Sequence, residues 1–219
     1  MQAESRPVTS NQASLHPKLA KVVQRHLRHP TRKPIAPHNL AAFEALKQRM
    51  VEDPRPLVLD SFCGTGQSTA ILAQRHENHL VVGIDQSAHR LERHISGTTD
   101  NYLLLRAQCE DIWQLILQQQ WRVSAHYLLY PNPWPKSAQL QRRIHGHAGF
   151  LHLLQMGGKI ELRSNWQVYV EEFGLAMWLA GNAGWVSRVE PQSALTLFEE
   201  KYRASGHALW RYCGALKVP

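Results

Sequence analysis

Cysteine is scarce in this chain of 219 residues: Cys63, Cys109 and Cys213 are all it has, an odd number with no CxxC spacing. That count argues against a disulfide framework and against a structural zinc site, and makes a reducing cytoplasm the expected compartment. No apolar run reaches the roughly 18 residues that a membrane span needs, and the N-terminus lacks the apolar stretch of a secretory signal. Acid is short as well. Asp and Glu number 17 against 25 Lys and Arg, for a formal net charge of +8 with histidines neutral. Such a balance favours a polyanionic partner. The imbalance is uneven: residues 16–38 hold Lys18, Lys21, Arg25, Arg28, Arg32 and Lys33 without one acid, and His26 and His29 extend that basic arm. Hydrophobic residues make up 43% of the chain, which suits one globular α/β domain with a short extension.

The expected organisation is a basic N-terminal extension over 1–38, partly flexible, followed by a domain over 39–219. Residues 1–16 are polar and expected to be mobile. A short basic helix fits 17–29, closed by Pro30 and Pro34, and a second helix fits 39–50. From Leu57 onward apolar runs and amphipathic stretches alternate. "LVLDSF", "HLVVGID", "NYLLLRA", "AHYLLY", "GGKIELRS" and "GWVSRVE" read as strands. "TAILAQRH", "SAHRLERHI" (Ser87 as N-cap), "EDIWQLILQQQ", a stretch from 142 to 155 and "NWQVYVEEFGLAMWLAG" read as helices. "HALWRYCGAL" supplies a last, antiparallel strand. This alternation implies a mostly parallel sheet covered on both faces, with ligands bound outside the carboxyl ends of its strands.

The first strand runs into "LDSFCGTGQS". Gly64 and Gly66 allow a tight bend and close approach to a ligand. Asp85 ends the second strand, 21 residues past Gly64, where an acid can accept both hydroxyls of a ribose. Thr69 stands where a dinucleotide fingerprint needs its third glycine, and no GxxxxGK[ST] occurs. Asp60 would repel a pyrophosphate but attract a cation, and S-adenosylmethionine carries both an amino group and a sulfonium.

Residues 57–112 resemble the first motifs of the class I methyltransferases. The resemblance implies a Rossmann-like fold with a seven-stranded, mostly parallel sheet, helices on both faces and an antiparallel last strand. It also implies S-adenosylmethionine as cofactor. Phe62 replaces the first glycine of that family's loop. The cofactor contacts it suggests are Asp60, Phe62, Cys63, Gly64 and Gly66 in the loop, Asp85 and Gln86 after the second strand, Gln108 and Cys109 after the third, and Asn132. Gln108 stands where the family usually places an acid toward the adenine amine. A plain packing role for Cys109 stays open.

After the fourth strand comes "YPNPWPK". Three prolines fix this backbone in advance, so little ordering entropy is lost on binding. Trp134 offers a flat apolar face, Asn132 can donate and accept in the plane of a nucleobase, and Lys136 provides a charge for phosphate. With Arg142 and Arg143 downstream, the segment resembles the "F-P-D-P-W-P-K-K-R-H-x-K-R-R" signature of the tRNA (guanine-N7)-methyltransferases. "GGKIELRSNWQVYVEEF" and "LTLFEEKYRASGHALWR" are similar to later blocks of the same family, with Thr196, Glu199 and Lys201 on family positions. The likeness covers about residues 40–212. It departs at Asn132, an aspartate in the family, at residues 137–141, where a basic run is lost, and at Ser164-Asn165, where the family has Thr-Asp.

The resemblance implies methyl transfer to guanosine N7 in tRNA. Asn132 and Trp134 would hold the base, and Asn165, Thr196 and Glu199 would add polar contacts. Lys136, Arg142 and Arg143, with the basic arm, would hold phosphates. A paralogous methyltransferase acting on another RNA or a small molecule, and a non-catalytic RNA-binding relative, remain open. The expected partner is tRNA or other RNA, with no membrane and no metal, in a monomer or homodimer. His145 and His147 are read as solvent- or phosphate-facing, and Trp166, Trp178 and Trp185 as core.

Overall fold

The structure is a computed structural model and describes residues 5–29, 33–190 and 192–217; Pro30 and Arg32 of the basic arm lie outside them. Two N-terminal helices, α1 (Leu19–Arg28) and α2 (Pro37–Glu52), precede the sheet. Then come β1 (Leu57–Ser61), α3 (Gln67–Arg75), β2 (Leu80–Asp85), α4 (Ala88–Leu91), β3 (Tyr102–Arg106), α5 (Cys109–Gln118) and β4 (Val123–Leu129). The chain closes with α6 (Phe150–Gln155), β5 (Gly158–Ser164), α7 (Gln167–Leu179), β6 (Gly184–Arg188), α8 (Leu197–Ala204) and β7 (Trp210–Leu216).

Seven strands form one sheet in the order β3-β2-β1-β4-β5-β7-β6, and β7 alone runs antiparallel to its neighbours. Every residue of β1 and β2 is buried, as expected of central parallel strands covered on both faces. The larger core lies on the face of α1, α2, α5, α6 and α7. On the opposite face α3 seals β1 and β2 through Leu72 and Ala73, while α8 and its flanking loops cover Leu129 and Tyr130. The strand order reverses between β1 and β4, so a crevice opens at their carboxyl ends.

Several local expectations change. Helix α1 is not a loose arm: Leu19, Val22 and Val23 are buried in the main core, and His26 sits 3.2 Å from the Gly146 carbonyl oxygen. Residues 5–16 are likewise tied down, as described below. The helix expected over 142–155 is two 3-10 turns, 137–142 and 144–146, followed by the short α6. The chain turns there because Arg143 and His145 point inward to a buried carboxylate rather than along a helix face. Helix α4 is a single turn, although Ser87 caps it by accepting from the Arg90 amide. Helix α8, read as a motif but not as a helix, starts at Thr196, whose hydroxyl accepts from the Glu199 amide at 3.0 Å. Trp166 is core, but Trp178 and Trp185 are 70% and 61% exposed.

Candidate active site

The turn after β1 bends three times through the left-handed region, at Phe62 (φ 65°), Gly64 (φ 64°) and Gly66 (φ 75°). Phe62 therefore adopts the backbone that a glycine would take freely, at a cost of roughly 1–2 kcal/mol, and its ring rests edge-on against Trp113, 6.1 Å away. The Trp113 indole in turn donates to Ser61 Oγ. A Cβ added at Gly64 would meet nothing within 4 Å, so the backbone borders open space there.

Asp60 and Asp85 sit at the carboxyl ends of β1 and β2, both buried. Asp60 Oδ2 accepts from Ser68 Oγ at 2.6 Å and from Thr69 Oγ1 at 2.7 Å, both on α3. Its Oδ1 has no partner among the described residues. Burial pushes the carboxyl up to about 6, against the two hydroxyl donors, which favour ionisation. Such an orphaned acidic oxygen, fully buried beside an open glycine bend, suits a cationic group. Asp85 is already engaged: Oδ2 accepts from the Gly64 amide at 3.0 Å, and Oδ1 accepts from the Ser87 amide at 2.8 Å and pairs with Arg90 at 2.9 Å. A ribose at Asp85 would have to share the carboxylate with these donors.

Gln86 and Gln108 border one polar cavity of about 230 Å3 with Glu110, Asp111 and His152. Gln108 is held from behind by Asn39, a fully buried residue that the sequence did not single out. Asn39 Oδ1 accepts from the Gln108 amide, and its Nδ2 donates to Gln108 Oε1 and Asp111 Oδ2. Cys109 is buried, with Sγ 3.6 Å from the Ile84 carbonyl oxygen, and burial raises its thiol far above the usual range. Cys63 is buried and raised in the same way. Both side chains are packing groups here.

The proline segment leaves β4 through Tyr130, held left-handed at φ 55°, and turns again at Trp134, φ 46°. Asn132 is exposed, and its Oδ1 accepts from the Trp134 amide at 3.3 Å. Arg142 is exposed and places its guanidinium 4.9 Å from the centre of the Trp134 ring. Lys136 is also exposed. Arg143 is not: it is fully buried and cannot face phosphate as expected. Its Nε donates to the Trp134 carbonyl and its Nη2 to the Lys136 carbonyl, so it braces the loop from inside. Its charge is met by Glu172 of α7, which also bonds His145. His145 is thus buried in an ion cluster and does not face solvent, while His147 lies 3.8 Å from Glu110.

The N-terminal segment completes this brace. Ser10 Oγ donates to the Pro135 carbonyl at 2.5 Å, Asn11 Oδ1 accepts from the Ser137 amide at 2.9 Å, and Gln12 bridges Arg143 and Glu172. Farther along the sheet end, Asn165 Nδ2 contacts His207 Nδ1 at 3.1 Å. Thr196 is spent as a helix cap, and Glu199, fully buried, accepts from Arg163 and from the Leu195 amide. Glu199 therefore anchors α8 and does not offer its carboxylate to a substrate.

A family model described as a putative methyltransferase matches residues 54–212. The chain belongs to this methyltransferase family. It is an S-adenosylmethionine-dependent methyltransferase. Among curated proteins it is 27% identical over 169 residues to a tRNA (guanine-N(7)-)-methyltransferase of Pectobacterium atrosepticum, covering 71% of this chain and 70% of that one. It is 28% identical over 174 residues to the enzyme of the same name from Acidithiobacillus ferrooxidans, covering 73% and 75%. Its fold matches that of the 16S rRNA methyltransferase KamB with a TM-score of 0.58 at 16% identity, over 85% of this chain and 96% of that one. A 16S rRNA (adenine(1408)-N(1))-methyltransferase of Catenulisporales acidiphilia matches at 0.52 and 17%, over 80% and 91%. Among the described residues no helix is long and apolar enough to cross a membrane.

Proposed function

We propose that the chain methylates the N7 of a guanosine in tRNA. The observation that carries this reading is the brace beneath the proline segment. A buried Arg143 fixes the carbonyls of Trp134 and Lys136, so Asn132, Trp134, Lys136 and Arg142 are presented from a preset backbone at the sheet end that holds Asp60 and Gly64. The names of the two curated relatives support the same acceptor.

S-adenosylmethionine, when bound, supplies an electrophilic methyl group on sulfur. Asp60, with its unpartnered Oδ1, would hold the cofactor's amino group, the bend at 62–66 would lie along it, Asp85 would meet the ribose, and Gln86 and Gln108 the base. Guanine N7 carries no proton, so this chemistry requires no general base. The residues have two tasks, to align the nucleophile and to exclude water. Trp134 would stack on the base and Asn132 would read its edge. Arg142 and Lys136, both exposed, would meet flanking phosphates, and Asn165 a polar group of the nucleotide.

Purified protein incubated with unmodified tRNA and methyl-labelled S-adenosylmethionine is expected to give 7-methylguanosine on nucleoside mass spectrometry. Label in any other nucleoside, or in a small molecule of a total extract, would replace this acceptor. Asn132 is the specific observation favouring such a replacement, because a neutral amide grips the guanine N1–H and amino donors less strongly than a carboxylate does.

A further inference from the structure

On the sheet face that carries α3 and α8, the register sets Arg163 of β5 beside Arg211 of β7, and Arg211 beside Ser187 of β6. Arg188 follows at the end of that edge strand, and Arg75 reaches in from the last turn of α3. The four arginines line one cavity of about 370 Å3, with Gln192 and Ser193 as neutral polar neighbours and Glu190 as the acid in its wall.

The four are not equivalent. Arg163 is neutralised, with Nε 2.6 Å from Glu161 and Nη1 2.7 Å from Glu199. Arg75, Arg188 and Arg211 pair with no carboxylate among the described residues, and Arg211 makes one hydrogen bond, from Nε to Ser187 Oγ at 3.3 Å. Three guanidinium groups converging on a concavity repel one another and focus positive potential there. Their planar donor forks match the oxygens of a phosphate. The neighbouring surface adds an aromatic face. Two residues along the strands, and so on the same face, Tyr127, Glu161, Cys213 and Trp185 cross the sheet in line, and Trp185 is 61% exposed on the edge strand. Arginines beside an open indole are the pairing that single-stranded nucleic acid uses, phosphate on cation and base on ring. The cavity also adjoins the reaction site. The Arg163 carbonyl accepts from the Tyr130 amide at 2.9 Å, at the root of the proline segment, and Leu195 in the cavity wall directly precedes the Thr196 cap.

We propose that this arginine-lined cavity binds a phosphate group of the RNA backbone, at a contact separate from the reaction site, with Trp185 beside it as a stacking face. The proposal rests on RNA being the acceptor and extends that reading down the sheet.

The test uses the full chain with Arg75→Glu and Arg188→Glu, singly and together, both positions being exposed. Binding of unmodified tRNA is followed by fluorescence anisotropy across a salt series, and S-adenosylmethionine binding by calorimetry serves as the check on folding. The double variant is expected to bind tRNA roughly tenfold more weakly at low salt, with a salt slope shallower by about 1, while cofactor binding is unchanged. Inorganic phosphate is titrated separately against the parent and the double variant. Parental tRNA affinity and slope in the double variant would overturn the proposal. If inorganic phosphate bound the parent and not that variant while tRNA affinity stayed parental, the cavity would be a site for a free phosphate anion, and the RNA assignment would fall. Methylation assayed in parallel separates the two readings. Loss of tRNA affinity without any 7-methylguanosine formed by the parent leaves the cavity assigned and removes the guanine-N7 function; methylation at N7 with no effect of the variants does the reverse.

Discussion

Arg143 and Glu172 meet in the interior, both fully buried, one from the turn after the proline segment and the other from the middle of α7. Two charges taken out of water keep company only when their remaining hydrogen-bonding capacity is filled. It is filled here. Glu172 also receives Gln12, His145 and the His16 amide, while Arg143 also serves the Trp134 and Lys136 carbonyls and lies over the Trp166 ring. The pair thereby joins the N-terminal segment, the core and the loop expected to present the acceptor.

Glu172→Ala is expected to destabilise the protein by about 3–5 kcal/mol, because it strands a buried guanidinium. Urea unfolding measures this. Replacing both partners by apolar residues of similar volume, Arg143→Met with Glu172→Leu, is expected to cost less than Glu172→Ala alone. The double variant should nevertheless lose turnover, since Trp134 and Lys136 lose their internal donor.

The same pair sets an acid limit. Burial raises the Glu172 carboxyl, but the His145, Arg143 and His16 donors outweigh it and bring it down to about 2 from an ordinary 4.5. A depressed folded pKa contributes stability that is complete above the unfolded value and lost as pH falls through the folded one. The loss therefore runs from about pH 4.5 to about pH 2 and amounts to about 3 kcal/mol. Burial also lowers the His145 imidazole below its ordinary 6.5, so its contribution is likewise lost as pH falls below about 6.5, in the same direction as that of Glu172. Thermal unfolding across this range should show the Glu172-dependent share absent from Glu172→Gln.

Asp60 titrates the opposite way. Burial lifts it to about 6 from 3.8, so between those values the native chain holds a proton that the unfolded chain releases. Its contribution to stability is present below about pH 4 and lost as pH rises through about 6. A cation seated on the unpartnered oxygen must displace that proton. Cofactor affinity by calorimetry is therefore expected to fall about tenfold between pH 7.5 and pH 5. Asp60→Asn should bind more weakly with a flat profile over that range, and an equally steep profile in the variant would remove Asp60 from the site.

Much of this architecture was legible in the residue pattern. The continuous apolar runs of β1 and β2 admit a reading as strands buried on both faces, and the glycine bend and Asp85 stand where the pattern puts them, at the carboxyl ends of those strands. What the pattern could not convey is which polar groups pair with each other. Arg143 reads as one of two basic neighbours, Arg142 and Arg143, yet one faces solvent and the other the core. Only the two 3-10 turns at 137–146, which no propensity signals, separate them. Glu199 fits a family block, but Arg163, distant in sequence, claims its carboxylate. Asn39 and the Ser10–Gln12 segment carry no motif. Their roles arise from contacts spanning more than 60 residues of sequence.

Asn132→Asp restores the family's carboxylate without disturbing the loop, because Asn132 Oδ1 already acts as an acceptor for the Trp134 amide and an aspartate retains that oxygen. A charge-assisted bond to the guanine edge exceeds a neutral one by about 1 kcal/mol. If the acceptor is guanine, kcat/KM on tRNA should rise roughly fivefold. A fall would indicate that the native asparagine reads a different edge.

The N-terminal segment should act on the loop and not on the cofactor. Ser10 and Asn11 hold Pro135 and Ser137 from outside, whereas Arg143 holds Trp134 and Lys136 from within, so the two braces grip alternate residues of one turn. Ser10→Ala with Asn11→Ala removes the outer brace at the surface and leaves the buried ion cluster intact. The Ser137 amide, freed from Asn11, is expected to exchange its hydrogen at least tenfold faster, an opening made easier by about 1.4 kcal/mol or more. Turnover should decline with it, since a preset loop spares ordering entropy that a loosened one must lose on each encounter. Affinity for S-adenosylmethionine should stay at the parental value, because Asp60, Gly64 and Asp85 make no contact with the segment in the hydrogen bonds that fix them. Parental exchange at Ser137 would show that the prolines and Arg143 hold the turn without help from the N-terminus.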